Sequence, residues 1–107
     1  MTRIAFVVAL ILTAPWQEAE TVEVKGLGPV DLASFNCQDI TRSSVISRVC
    51  YDDRSRRMLV QRHAIYHAYC DVPTNIRDGL LDARSMGRFY QINVEAARER
   101  GHYGCGA

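Results

Sequence analysis

Hydrophobic and polar residues alternate along three short stretches in the middle of the chain. These stretches are SSVISRVCYD (43–52), RMLVQR (57–62) and IYHAYCDV (65–72), the last ended by Pro73. Alternation with a period of two is typical of half-buried strands. The polar run DDRSR (52–56) and the pair His63-Ala64 separate the stretches, and connections this short join antiparallel neighbours. The pattern therefore predicts a three-stranded antiparallel β-meander.

The spacing of apolar residues becomes helical after Pro73. Thr74 is a natural N-cap, and Ile76 and Leu80 follow on one face, although Gly79 weakens this helix by about 1 kcal/mol. Ser85 can cap a second helix over 86–100, which Gly101 ends. Strands followed by helices indicate an α+β fold. We expect the two helices to pack on one face of the meander.

The residues before the first predicted strand divide into two parts. Residues 1–19 carry one positive charge at Arg3 and then an uncharged, mostly apolar run from Ile4 to Ala14, as in a secretory signal peptide. The run is shorter than the roughly 20 apolar residues that span a bilayer, so no transmembrane segment is expected in the mature chain. Cleavage is expected somewhere between residues 14 and 20. Residues 20–42 form a lead-in in which Gly26, Gly28 and Pro29 should break regular structure.

Four cysteines follow the predicted signal peptide, at positions 37, 50, 70 and 105. An even number in a short exported chain indicates disulfides. Their spacing contains no C-x-x-C and fits no common zinc pattern, so we expect no metal site and no cofactor. Export and disulfides together predict a periplasmic or secreted protein.

The predicted strands limit how these cysteines can pair. Cys50 and Cys70 lie on the two outer strands of the meander, roughly 10 Å apart, beyond the reach of a disulfide. With Cys50 placed near Met58, Cys50 should face the helices, and Cys105 follows those helices. We therefore expect a Cys50–Cys105 disulfide and a Cys37–Cys70 disulfide across the other face, and no Cys50–Cys70 bond.

Arginine is used almost to the exclusion of lysine in the second half of the chain. Residues 41–107 hold eleven arginines and no lysine, against seven acidic residues. Guanidinium groups suit phosphates and carboxylates, but a solvated arginine-rich turn is the commoner meaning of such a pattern. The candidate binding residues are Arg48, Tyr51, Arg56, Arg57, His67 and Tyr69. Because basic strands with interleaved aromatic residues can stack bases, RNA or single-stranded nucleic acid is the alternative ligand to a protein, peptide or glycan.

Several short motifs together resemble the KTSC domain family, in particular its small exported members with cysteines. They are Phe35-Asn36-Cys37, Ser43-Ser44-Val45-Ile46, Arg48-Val49-Cys50-Tyr51-Asp52, Tyr69-Cys70, Ser85–Tyr90 and the late Cys105. The resemblance covers roughly residues 43–94. It departs from the family at His67, where a tyrosine is usual, and at Arg62, where a large apolar residue is usual. The resemblance implies a domain of no established activity, with RNA binding suggested for the form linked to lysyl-tRNA synthetases.

These patterns predict a signal peptide over 1–19, a lead-in over 20–42 and a KTSC-like domain over 43–107. Within the Ser85–Tyr90 motif we expect Phe89 to pack on the sheet and Tyr90 to lie at its edge with a free hydroxyl. Gly87 should let the second helix approach the first. No motif indicates a catalytic nucleophile with its base. We therefore expect a non-enzymatic, exported binding module whose partner is an envelope or extracellular protein, peptide or glycan.

Overall fold

The computed structural model describes residues 20–106. The signal peptide predicted over residues 1–19 lies outside the described residues. Within residues 20–106, six strands form one mixed sheet, and helices follow the last strand. The α+β class and the order of strands before helices are therefore confirmed, whereas the prediction of a sheet with only three strands is wrong.

The additional strands come from the lead-in. The strands are β1 (Thr21–Val24), β2 (Gly28–Asp31), β3 (Asn36–Asp39), β4 (Ile46–Asp52), β5 (Arg57–Arg62) and β6 (Ile65–Tyr69). They lie side by side in the order β2-β1-β6-β5-β4-β3. β4, β5 and β6 are antiparallel neighbours in the centre, within the three alternating stretches. β1 pairs parallel with β6 through Val24 and Tyr66, and β3 pairs antiparallel with β4.

The two glycines of the lead-in flank a hairpin turn instead of breaking regular structure. Gly26 and Gly28 have φ angles of 82° and 81°, in the left-handed region that glycine adopts at low cost. Leu27 donates its backbone N–H to the carbonyl oxygen of Val24 at 3.0 Å within this turn. The glycines thus allow β1 and β2 to pair, which extends the sheet where irregular chain was expected.

The helical part is less regular than the two simple helices that were predicted. It consists of α1 (Thr74–Asp82), α2 (Met86–Tyr90), a π-helical turn (Gln91–Glu95) and α3 (Ala96–Glu99). Ser85 caps α2 as predicted, since its hydroxyl accepts the backbone N–H of Arg88 at 3.3 Å. Thr74 is not a cap: Pro73 occupies the N-cap position of α1, without a side-chain bond. Gly101, with a φ of 97°, follows the last helical turn as predicted.

The two faces of the sheet carry separate cores. The core that the helices cover consists of Ile46, Val49, Tyr51, Met58, Val60, Tyr69, Val72, Leu80, Met86, Tyr90 and Val94. The opposite core consists of Val24, Leu32, Cys50, Leu59, Tyr66 and Ala68, with Phe35 and Cys105 packed against it. Cys50 therefore faces away from the helices. It lies opposite Leu59, not Met58, because the turn holds Asp52 opposite Arg57; a register difference of one residue moves a side chain to the other face.

This register decides the disulfides. Cys37 of β3 lies directly opposite Cys50 of β4, and the two form a disulfide with a Cα–Cα distance of 3.9 Å. Cys70 forms the second disulfide with Cys105, at a Cα–Cα distance of 4.9 Å. The absence of a Cys50–Cys70 bond is confirmed. The predicted Cys50–Cys105 and Cys37–Cys70 pairs are wrong, because Cys50 is on the face away from the helices and Cys37 lies three strands away from β6.

Packing between the helices depends on Gly79 rather than Gly87. A Cβ atom at Gly79 would lie 2.6 Å from Cζ of Phe89, so the missing side chain makes room for this ring. At Gly87 the nearest neighbour is Val45, whose Cγ2 would lie 3.4 Å from a Cβ atom. The expected roles of Phe89 and Tyr90 are reversed: Phe89 is half-buried, whereas Tyr90 is 1% exposed and its hydroxyl is bonded. Tyr90 takes the central place because it lies one residue further round the helix.

Candidate functional site

The six predicted binding residues do not meet in one site. Arg48 lies beside Tyr66, a residue of the core away from the helices, and Tyr51 is buried beneath α1. Arg56 and Arg57 lie at the turn between β4 and β5. His67 and Tyr69 lie on β6, on the face that the helices cover. The basic and aromatic residues that alternate in the sequence therefore lie on both faces of the sheet and at one turn, not on one surface.

Most of the guanidinium of Arg48 is engaged by neighbours within the chain. Its guanidinium pairs with Glu20 at 2.8 Å and with Asp39 at 3.3 Å, and it donates to the hydroxyl of Tyr66 at 3.1 Å. The hydrogen bonds to Glu20 and Tyr66 raise the pKa of Arg48, and the bond from Arg48 lowers the pKa of Glu20. These contacts connect the beginning of the described chain to the sheet. Arg48 has few donors left for a ligand.

Tyr51 also has a structural role. It is 2% exposed, and its hydroxyl donates to the backbone carbonyl of Val72 at 2.6 Å. The guanidinium of Arg77 lies over its ring, 4.6 Å from the centroid. Because both the ring and the hydroxyl are occupied, Tyr51 has no surface on which a base or sugar could stack.

The arginine-rich turn is exposed, but acidic residues lie beside it. Arg56 is exposed and has a φ of 63°, and its carbonyl oxygen accepts the backbone N–H of Val72 at 2.9 Å. Arg57 is the first residue of β5 and is half-buried. A depression next to this turn is lined by Asp52 and Asp53 as well as Arg54. The turn is therefore a mixed-charge surface rather than a concentrated positive patch.

Tyr69 forms a buried pair with Tyr90, which was not predicted to be buried. The two rings meet edge to face with centroids 5.9 Å apart, and the two hydroxyls hydrogen bond to each other. Arg98 lies over the ring of Tyr69 at 5.2 Å and Arg62 over the ring of Tyr90 at 5.7 Å. Burial raises the pKa of both tyrosines, so both hydroxyls are neutral at physiological pH. The pair connects β6 to α2 inside the core.

His67 lies beside this pair, half-buried in a basic environment. Burial lowers its pKa, and the nearby charges of Arg62 and Lys25 lower it further. The imidazole is therefore neutral at pH 7. No group of three His, Cys, Asp or Glu side chains within residues 20–106 is arranged to hold a metal ion.

A groove runs along α2, at the end of β5 and the beginning of β4. Its larger part has a volume of about 530 Å³ and is lined by Val45, Arg62, His63, Ser85, Gly87, Arg88, Tyr90, Gln91 and Glu95. A smaller part of about 200 Å³ is lined by Arg42, Ser43, Ser44, Val45, Arg84, Ser85, Met86 and Gly87. The two parts share Val45, Ser85 and Gly87 and therefore adjoin each other. We call the whole depression the α2 groove.

The α2 groove brings together two motifs that are distant in the sequence. Residues 43–45 line the groove from one motif, and residues 85–88 together with Tyr90 line it from the other. The hydroxyl of Ser43 accepts the backbone N–H groups of Val45 and Ile46, at 3.1 and 3.0 Å, and fixes the chain at the beginning of β4. The sequence interpretation gave the Ser85–Tyr90 motif structural roles only, and it found no catalytic nucleophile with its base in either motif. The sequence offered one indication of a shared surface, because both motifs belong to the same family pattern.

The arginines of the α2 groove differ in how they are used. Arg42 donates to the backbone carbonyls of Leu81 and Ala83, at 2.7 and 2.8 Å, and closes the end of α1. Arg62 pairs with Glu95 at 3.2 Å. Arg84 and Arg88 are exposed, and within residues 20–106 neither forms an ion pair. Arg84 lines the smaller part and Arg88 the larger part, so the two unpaired arginines lie on either side of Ser85, which lines both parts.

A second depression, between β3 and α1, lacks this free charge. It has a volume of about 300 Å³ and is lined by residues that include Gln38, Tyr51, Arg77 and Asp78. Arg77 pairs with Asp78 at 2.7 Å and with Asp53 at 3.6 Å, so its charge is neutralised within the chain. Of these surfaces, the α2 groove is the better candidate for a ligand.

None of the helices in the described part of the chain is long and apolar enough to span a bilayer. No curated protein matches the chain. The crystal structure of a KTSC domain protein from Yersinia pestis is similar, with 27% sequence identity and a TM-score of 0.53. The similarity covers 57% of this chain and 86% of that one. The family model of the KTSC domain matches residues 42–97, which include both motifs of the α2 groove. The chain therefore belongs to the KTSC domain family.

Proposed function

We propose that this chain is an exported, non-enzymatic binding module whose ligand lies in the α2 groove. The observation that carries the proposal is the meeting of two KTSC motifs around a groove with two exposed, unpaired arginines, Arg84 and Arg88. A volume of about 530 Å³ is within the range of roughly 300–1,000 Å³ that is usual for small-ligand sites. The partner is an envelope or extracellular molecule.

Two disulfides support the exported location. All four cysteines are paired, and disulfides persist in oxidising compartments such as the periplasm. Intact-mass analysis after expression in a Gram-negative host tests this part of the proposal. We expect a periplasmic product that lacks about 14–20 N-terminal residues; a full-length cytoplasmic product would contradict export.

The chemistry of the described residues favours binding over catalysis. The paired cysteines leave no thiol in the described chain for use as a nucleophile. The hydroxyl of Ser43 is occupied by two backbone N–H groups, and the hydroxyl of Ser85 accepts the N–H of Arg88. These serines hold the ends of β4 and α2 in place, which supports a rigid binding surface.

Nucleic acid is the less favoured ligand because the aromatic residues expected to stack bases are buried. Tyr51, Tyr66 and Tyr69 are all at most 8% exposed. Binding of single strands normally combines basic contacts with exposed aromatic rings. Arginines without a stacking surface favour a protein, a peptide or a glycan with anionic groups.

The test of the groove uses the oxidised chain and three anionic probes of similar length. The probes are an acidic hexapeptide, a hexauronate oligosaccharide and a six-nucleotide single-stranded RNA. Two-dimensional NMR of the uniformly labelled protein maps which amide resonances shift. We expect at least one probe to shift Ser44, Ser85 and Arg88 more than residues of the β1–β2 hairpin. If no probe does so, the groove is not the ligand surface.

A further inference from the structure

We infer that the α2 groove binds an extended peptide segment with its acidic residues at one end, through carboxylates that pair with Arg84 and Arg88. This inference rests on the proposed function and specifies its ligand. The acidic end would lie beside Ser85. The uncharged part of the peptide would continue towards Gln91 and Glu95.

The unpaired positive charge of the groove lies near Ser85, where its two parts meet. Arg84 and Arg88 are exposed, and within the described residues neither has an acidic partner. Arg42 lines the smaller part together with Arg84, although its guanidinium is bonded to the carbonyl groups at the end of α1. Planar guanidinium groups bind carboxylates with two parallel hydrogen bonds. Two such groups on either side of Ser85 suit two neighbouring carboxylates better than a single ion.

The larger part of the groove also contains a charge pair that is neutral overall. Arg62 pairs with Glu95 at 3.2 Å, and both side chains are about one-third exposed. The positive charge of Arg62 is therefore neutralised, and the carboxylate of Glu95 lines the groove. The Arg62–Glu95 pair has no net charge, so a ligand with an even row of negative charges, such as a polyuronate or a phosphate backbone, would gain no attraction here. Charge complementarity therefore favours a ligand that is acidic at one end only.

The surface of the groove also fits a peptide better than stacked rings. The lining residues include two aromatic rings, those of His63 and Tyr90, and Tyr90 is only 1% exposed. Gly87 forms part of the floor against Val45, so the backbone of α2 is close to the surface there. Gln91 and the Arg62–Glu95 pair provide both donors and acceptors, which match the alternating N–H and C=O groups of an extended peptide.

The test compares two blocked hexapeptides, Glu-Glu-Gly-Ser-Gly-Ser and Gln-Gln-Gly-Ser-Gly-Ser, by fluorescence anisotropy and NMR mapping with the full oxidised protein. We expect the acidic peptide to bind at least about tenfold more tightly, the size of one charged hydrogen-bonded pair. The Arg84→Ala/Arg88→Ala variant should lose that tenfold difference. The matched control Arg54→Ala/Arg100→Ala removes the same charge from exposed positions elsewhere and should change the affinity less than about twofold. Circular dichroism checks that each variant is folded.

The outcomes distinguish two claims: that the α2 groove is the ligand surface, and that its ligand is an acidic peptide. Equal affinity for the two peptides, or an equal loss in the control variant, would overturn the peptide assignment. If the hexauronate or the RNA shifts the groove resonances and the acidic peptide does not, the groove stands and the ligand class is wrong. If none of the probes shifts the groove resonances, both the peptide assignment and the groove itself are refuted.

Discussion

The hydroxyl pair of Tyr69 and Tyr90 provides a strong test of the core. Each ring is 1% exposed, and each hydroxyl has the other as its partner. A tyrosine-to-phenylalanine change removes one hydroxyl and leaves the ring packing in place. In Tyr69→Phe or Tyr90→Phe, the remaining hydroxyl is buried and loses its partner, which costs about 1–3 kcal/mol of unfolding free energy. In the double variant no orphaned hydroxyl remains, so the total cost should be below about 1 kcal/mol.

Urea unfolding of the four proteins under oxidising conditions measures this effect. We expect the double variant to be more stable than either single variant, with a coupling energy of about 2–3 kcal/mol between the two sites. The slope of free energy against urea should be the same in all four, since the surface exposed on unfolding is unchanged. If the two single costs simply add in the double variant, the hydroxyls do not depend on each other and the reasoning is refuted.

The same pair predicts a loss of stability in alkali. Burial raises the pKa of Tyr69 and Tyr90 above the value of about 10 in an unfolded chain. The stabilisation from the neutral hydroxyls is therefore complete below pH 10, and it is lost as the pH rises above 10 and the unfolded tyrosines ionise. Between pH 9 and pH 11 the wild type should lose more stability than the double phenylalanine variant. An equal loss in both would show that the pair does not contribute.

Three further predictions concern other parts of the core. Gly79→Ala should destabilise the protein by about 1–2 kcal/mol, since the new Cβ atom would clash with Phe89. In a Phe89→Ala background the clash is absent, so the same change should stabilise the protein by up to about 1 kcal/mol through helix propensity. Destabilisation in both backgrounds would contradict the clash. Burial and nearby cations lower the pKa of His67, so wild-type stability should fall from pH 7.5 to pH 5.5. His67→Gln should reduce this slope, and an unchanged slope would contradict the assignment. Removing the second disulfide with Cys70→Ser/Cys105→Ser should lower the free energy of unfolding by about 4 kcal/mol, as chain entropy predicts for a separation of 35 residues. Peptide mapping that finds Cys50 joined to Cys105 would refute this pairing.

The sequence alone determined the local features of the fold. Alternation located β4, β5 and β6, and helical spacing located the helices after Pro73. The cap at Ser85 and the left-handed residue at Gly101 were also identified, because each depends on one side chain and its immediate backbone. The motifs identified the family over the same region.

Tertiary structure decided what depends on strand register and on long-range pairing. Gly26 and Gly28 do not reveal whether β1 and β2 beside them pair and join the sheet, so these two strands were missed. The short β3 was missed as well, and it is placed by its pairing with β4. The observed register differs from the predicted one by one residue, which places Cys50 on the opposite face of the sheet. Both disulfides therefore differ from the predicted pairs.

The candidate site was the part least accessible to the sequence. Arg48 and Tyr51 match a binding pattern in the sequence, yet the fold uses both in internal contacts. Arg84 lies outside the family motifs and Arg88 lies within Ser85–Tyr90, and the sequence predicted a binding role for neither. They become candidate ligand contacts only because the beginning of β4 packs beside α2. A sequence specifies which side chains are present, but the free charge at a surface depends on which of them the folded chain has already paired.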